Sequence, residues 1–128
     1  MAEHGTIRIP DEEYKQRVQR AAKILQREGL DALIVNSNEA DYANARYFSG
    51  FWPLFERCGV AISPAGDAAL MVGPESREFG ADRCKLDKVF VLKAYRESAD
   101  PAYPELQADT YQDVFNALGI KGKKLRIG

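Results

Sequence analysis

The chain has 128 residues and a mass of 14.3 kDa, the size of one domain with one core. Lys and Arg number 18 against 19 Asp and Glu, and a net charge of −1 excludes the phosphate-neutralising surface of a nucleic-acid binder. Residues 1–10 lack the apolar run of a signal peptide, and no stretch approaches the roughly 18 apolar residues of a membrane span, so a soluble cytoplasmic protein is expected.

Helical spacing of Tyr14, Val18, Ala21, Ala22 and Leu25 predicts an amphipathic helix, with Ile24 widening its apolar stripe. Asp11 is the expected N-cap, Glu12 and Glu13 suit the positive end of the helix dipole, and Gly29 closes the helix in a left-handed conformation. Residues 30–35 are a short apolar run that reads as a covered strand, and the polar residues 36–41 read as a loop at its end. Residues 42–48 form a short helix or turn, broken at Ser49-Gly50. Residues 59–62 and 68–72 predict an antiparallel hairpin around the Ser63-Pro64-Ala65-Gly66-Asp67 turn. A short helix is expected over residues 75–84 with Phe79 buried, then a strand over 88–95 and a loop over 96–104 with two prolines. Asp109 or Thr110 can cap a final helix that runs to Leu118, and Leu125 and Ile127 start one more strand. Helices alternating with strands give an α/β class with a mixed sheet. A unit of this kind that stops inside a strand is expected to be one domain of a longer polypeptide.

The chemistry on offer is limited. His4 is the one histidine, placed near the N-terminus, which leaves no scaffolded base for Ser-His-Asp or Cys-His catalysis. Cys58 and Cys84 show no CxxC spacing and are expected to be reduced thiols. No GxGxxG or GxxxxGK[ST] phosphate loop occurs. Asp31, Glu39 and Asp41 are the nearest approach to a carboxylate cluster, without histidine partners to make a metal site. The segment NARYFSGFWPLFER, residues 44–57, concentrates Tyr47, Phe48, Phe51, Trp52 and Phe55 beside Arg46 and Arg57. Tyr47, Phe48 and Phe51 are expected to plug the core. Packing aromatics with an arginine that forks toward a carboxylate are the usual parts of a wall for an anionic ligand, and Trp52, Pro53, Leu54 and Phe55 make an apolar loop beside Glu56 and Arg57 that reads as an interface.

In this order, the helix ending in REGLDALIV, the polar loop, NARYFSGF, the hairpin around SPAGDAALMV and the closing KKLRIG resemble the N-terminal domain of the creatinase/prolidase/aminopeptidase P family, the pita-bread metallohydrolases. The resemblance runs from about Tyr14 to Gly128, and residues 1–128 are taken as one such domain. It implies a mixed, roughly six-stranded sheet flanked by helices, ribonuclease-H-like in topology. Catalysis would belong to a C-terminal pita-bread domain whose divalent metal pair is held by two aspartates, a histidine and two glutamates, so this chain would hold no cofactor and no catalytic residue. The N-terminal domain would contribute to a homodimer and cover the active site, where a small peptide or amide is hydrolysed. Creatinase-like members carry a Phe-x-Arg that holds the substrate carboxylate, and Phe55-Glu56-Arg57 matches it, with Trp52 a further substrate- or dimer-facing aromatic. The sequence departs by a shorter loop and by Glu56 where a small residue is familiar, and this carboxylate could neutralise Arg57 or turn it away. The alternative function is a stand-alone interaction module that keeps the fold without catalysis.

Overall fold

The computed structural model describes residues 7–97 and 107–128. His4 and most of the expected 96–104 loop lie outside the described residues. The first helix, α1 (Asp11–Glu28), buries Tyr14, Val18, Ala21, Ala22 and Leu25, each large aliphatic side chain contributing about 1.5–3 kcal/mol. Ile24 stays 48% exposed, past the edge of the stripe it was expected to widen. The N-cap is Pro10 rather than Asp11. Pro10 makes no side-chain cap, and Asp11, Glu12 and Glu13 fill the first turn with negative charge. Gly29 closes the helix at φ 65°, as the sequence indicates.

Strand β1 (Leu33–Ser37) is followed by α2 (Ala43–Ser49), β2 (Cys58–Ile62), β3 (Ala68–Val72), a 3-10 turn (Pro74–Ser76), α3 (Arg77–Arg83), β4 (Lys88–Val91), a second 3-10 turn (Lys93–Tyr95) and α4 (Tyr111–Ala117). The sheet runs β1-β2-β3-β4, antiparallel between β1 and β2 and between β2 and β3, parallel between β3 and β4. The expected hairpin is the centre of the sheet, its turn closed by Ser63 and Asp67 backbone pairing at 2.8 Å.

The mixed α/β class holds, with four strands among the described residues instead of about six. Two single bridges mark where the ladder thins. Ala32 pairs with Ile127 beside β1, and Leu92 pairs with Asp109 beside β4. The strand expected over 88–95 stops at Val91 because the chain turns into the 3-10 segment that buries Tyr95. Conversely β1 extends through Asn36 and Ser37, which were expected in a loop. The buried Ser37 hydroxyl earns its place by accepting the Ala45 amide of α2 at 3.0 Å.

Each face of the sheet has its own core. On one, Val18, Leu25, Phe51, Val60, Leu70 and Val72 pack beneath α1 and α2. On the other, Met71, Leu92, Tyr95, Val114, Phe115 and Leu118 pack with α4. Cys58 and Cys84 are free thiols, and burial pushes them up to about 12 and about 11.

Candidate ligand groove beside Phe55 and Arg57

The aromatic segment begins at a latch. Ser49 Oγ donates to Ala45 O at 2.6 Å and accepts from the Phe51 amide at 3.1 Å, while Gly50 turns the chain at φ 74°. Phe51 is thereby driven fully into the core, against Phe79 at 5.4 Å between ring centroids. The other two rings expected to plug the core do so less. Phe48 is half-buried, and Tyr47 is 43% exposed, its ring facing the Arg17 guanidinium of α1 at 4.4 Å.

Beyond Phe51 the chain surfaces. Trp52 is partly buried and lies under Arg46, 4.6 Å from guanidinium carbon to ring centroid. Phe55 is 44% exposed and Arg57 is exposed, while Glu56 between them is fully buried. Phe55 and Arg57 line an open groove of about 460 Å³ with Asn38, Glu39, Ala40, Arg96 and Glu97. Trp52 is not among the lining residues, so the three candidate site residues divide into a pair on the groove and a ring stacked elsewhere.

Arg57 makes no ion pair among the described residues, and the neutralisation by Glu56 that the sequence suggests does not occur. Glu56 turns inward instead. Its Oε1 accepts from the Glu75 amide at 3.2 Å and its Oε2 from the Ser76 amide at 3.1 Å. Burial raises its carboxyl above the ordinary range, with the Ser76 hydroxyl bond the largest opposing influence.

Behind the groove, the buried Tyr95 hydroxyl donates to Asn36 Oδ1 at 2.7 Å and accepts from the Tyr111 hydroxyl at 3.0 Å. Burial pushes the Tyr95 phenol up, and the positive charge of Arg57 pulls it the other way. This network ties the 3-10 turn before Arg96 to β1 and α4. Arg96 itself donates from Nη1 to Lys93 O at 3.1 Å.

Sequence reasoning missed Arg96 and Asn38, which reach the groove from segments far from residue 57 in the chain. No local spacing signals such a meeting. The carboxylate cluster does not assemble: Asp31 accepts the Arg126 amide ahead of β1, whereas Glu39 and Asp41 follow its other end. Among the described residues no group of three or more His, Cys, Asp or Glu could hold a metal ion, so these residues do not fit a metal pair. Among them, too, no helix is long and apolar enough to cross a membrane.

A family model described as "Creatinase/Prolidase N-terminal domain" matches residues 17–127. A sequence comparison with curated proteins gives no match. Among solved structures, the N-terminal creatinase/prolidase-like domain of a metallopeptidase from Corynebacterium diphtheriae superposes with a TM-score of 0.56 at 14% identity, covering 89% of this chain and 93% of that one. The N-terminal domain of the cytoplasmic peptidase PepQ from Mycobacterium tuberculosis gives 0.52 at 24% identity over 62% of this chain and 58% of its own. The dipeptidase PepE from Mycobacterium ulcerans gives 0.55 at 18% identity over 88% of this chain, and the match spans 28% of the dipeptidase's length.

Proposed function

Since the chain belongs to the creatinase/prolidase N-terminal domain family, we propose that it is the non-catalytic domain of a metal-dependent hydrolase of the Xaa-Pro peptidase or creatinase type. In this reading it caps the active site of a cytoplasmic homodimer and lends Phe55 and Arg57 to the carboxylate end of a small peptide or amide. The observation that carries it is an exposed guanidinium without an ion-pair partner among the described residues, beside an exposed aromatic ring on a groove, in a domain of this family.

The chemistry follows from those two side chains. A planar guanidinium forks two parallel N–H donors toward a carboxylate, and Phe55 offers an apolar face for the body of the ligand. Covering the groove would remove water and strengthen the charge pairing. The metal pair would supply an activated water in the hydrolase as a whole, and none of this chain's residues is assigned to that step.

The test compares two proteins. The product of the complete reading frame should hydrolyse an Xaa-Pro dipeptide or creatine only when supplied with a divalent metal, and the 128-residue chain alone should hydrolyse neither. Turnover by the isolated chain would contradict the proposal. Failure of the metal-loaded complete product on both substrates would contradict it too, and would favour the interaction module.

A further inference from the structure

Glu56 is a fully buried carboxylate with no cationic partner among the described residues, between two exposed residues that line the groove. Taking an acid out of water is costly, and an apolar side chain of similar size would anchor the loop without that cost. What an apolar side chain lacks is direction. Glu56 has two acceptor oxygens, each engaged by a different amide, those of Glu75 and Ser76. Exposure alternates outward, inward, outward over Phe55, Glu56 and Arg57, so fixing the middle side chain fixes the sense in which its neighbours project.

The seat for the carboxylate is built from the other side. Gly73 has φ −78° and ψ 167°, a conformation open to any residue, so backbone freedom is not what it provides. Its missing side chain is. A Cβ on residue 73 would lie 2.4 Å from both carboxylate oxygens of Glu56. The segment 73–76 therefore makes room for the acid and presents two amides to it.

We propose that Glu56 is the positioning residue of the groove, its carboxylate seated over Gly73 on the amides of Glu75 and Ser76 so that Phe55 and Arg57 face a ligand carboxylate together. This rests on the groove reading above for its ligand. The anchoring itself does not, and the two can be tested apart.

Glu56→Gln keeps the size of the side chain but sets an N–H₂ against one of the two backbone donors, orphaning it. In the complete reading-frame product, hydrogen–deuterium exchange of peptides covering residues 52–57 and 73–77 should quicken by about tenfold in Glu56→Gln, while peptides from β2 and β3 stay unchanged. Gly73→Ala, which expels the carboxylate without altering any charge, should do the same. In turnover, the preference for a free-acid dipeptide over its C-terminal amide should fall by about tenfold in both variants, because the acid loses Arg57 and the Phe55 face together whereas the amide loses only the Phe55 face. A merely structural lesion would lower turnover of both substrates alike.

Unchanged exchange at 52–57 overturns the proposal. So does an acid preference that Arg57→Ala abolishes and Glu56→Gln leaves intact. An acid preference indifferent to Arg57→Ala overturns the groove reading and the ligand half of the proposal with it, while the exchange data still decide whether Glu56 anchors the loop.

Discussion

A methyl group on residue 73 or residue 59 has no room, for two different reasons. At 73 it meets the Glu56 carboxylate, and at 59 it meets the Tyr95 hydroxyl at 2.6 Å and the Val35 carbonyl at 2.9 Å. Gly59 thus lets Tyr95 reach across β2 to Asn36. Each Gly→Ala change should cost about 1–3 kcal/mol in urea unfolding. The Gly73→Ala penalty should shrink in the Gly73→Ala/Glu56→Ala double variant, whose coupling should exceed about 0.5 kcal/mol. Additive effects would mean that the two side chains do not compete for one space.

Glu56 also gives stability a pH signature. Burial raises its carboxyl above the ordinary 4.5, so the native state retains a proton that the unfolded chain releases. The stability from this group is therefore full below about pH 4.5 and lost as pH rises through the higher native value. Glu13, held low by Arg17 and Arg20, runs the other way but is common to both proteins in the comparison. Between about pH 4 and pH 8 the wild type should lose stability relative to Glu56→Gln. Parallel urea midpoints across that range would contradict the assignment. The sequence showed Glu56 only as an acid next to an arginine. Its true partners are some 20 positions away, and a local scan pairs charges by proximity in the chain.

Among the helices, α4 shows how a cap is decided. Asp109 and Thr110 both suit the role by type, and Thr110 takes it. Its hydroxyl accepts the Asp113 amide at 3.2 Å while Asp113 Oδ2 accepts the Thr110 amide at 2.8 Å. Asp109 is claimed instead by the sheet, accepting the Val91 amide at 2.9 Å. Thr110→Ala should cost about 1 kcal/mol, read as a lower urea midpoint. A loss below about 0.3 kcal/mol would show that the box adds little to a helix already held by Val114 and Phe115. That Asp109 or Thr110 caps this helix was legible in the sequence; the demand of β4 for an acceptor, which decides between them, was not, because it arises only once the chain has folded back. Of the strand expected to start at Leu125 and Ile127 the chain forms a single bridge, Ile127 with Ala32, and the neighbour it covers, β1, was not legible: Ile34 N–H donates to Gly128 O at 3.2 Å.

For the molecule as a whole, hydrophobic periodicity and turn signals gave the class, the hairpin and helices α1, α3 and α4 to within a few residues, and left residues 42–48, which form α2, open between a helix and a turn. The order of the motifs pointed to the family that the model match establishes. The groove was half legible. Phe55 and Arg57 stand two apart in one segment, whereas Asn38 and Arg96 arrive from other elements. The central proposal is that this domain holds the carboxylate end of the hydrolase's substrate, and steady-state kinetics of the complete product tests it most directly. Arg57→Ala should raise KM for an Xaa-Pro dipeptide by about 10- to 100-fold, the value of about 1.5–3 kcal/mol for a charge-assisted bond, with kcat within about twofold. A KM unchanged by the substitution would contradict it.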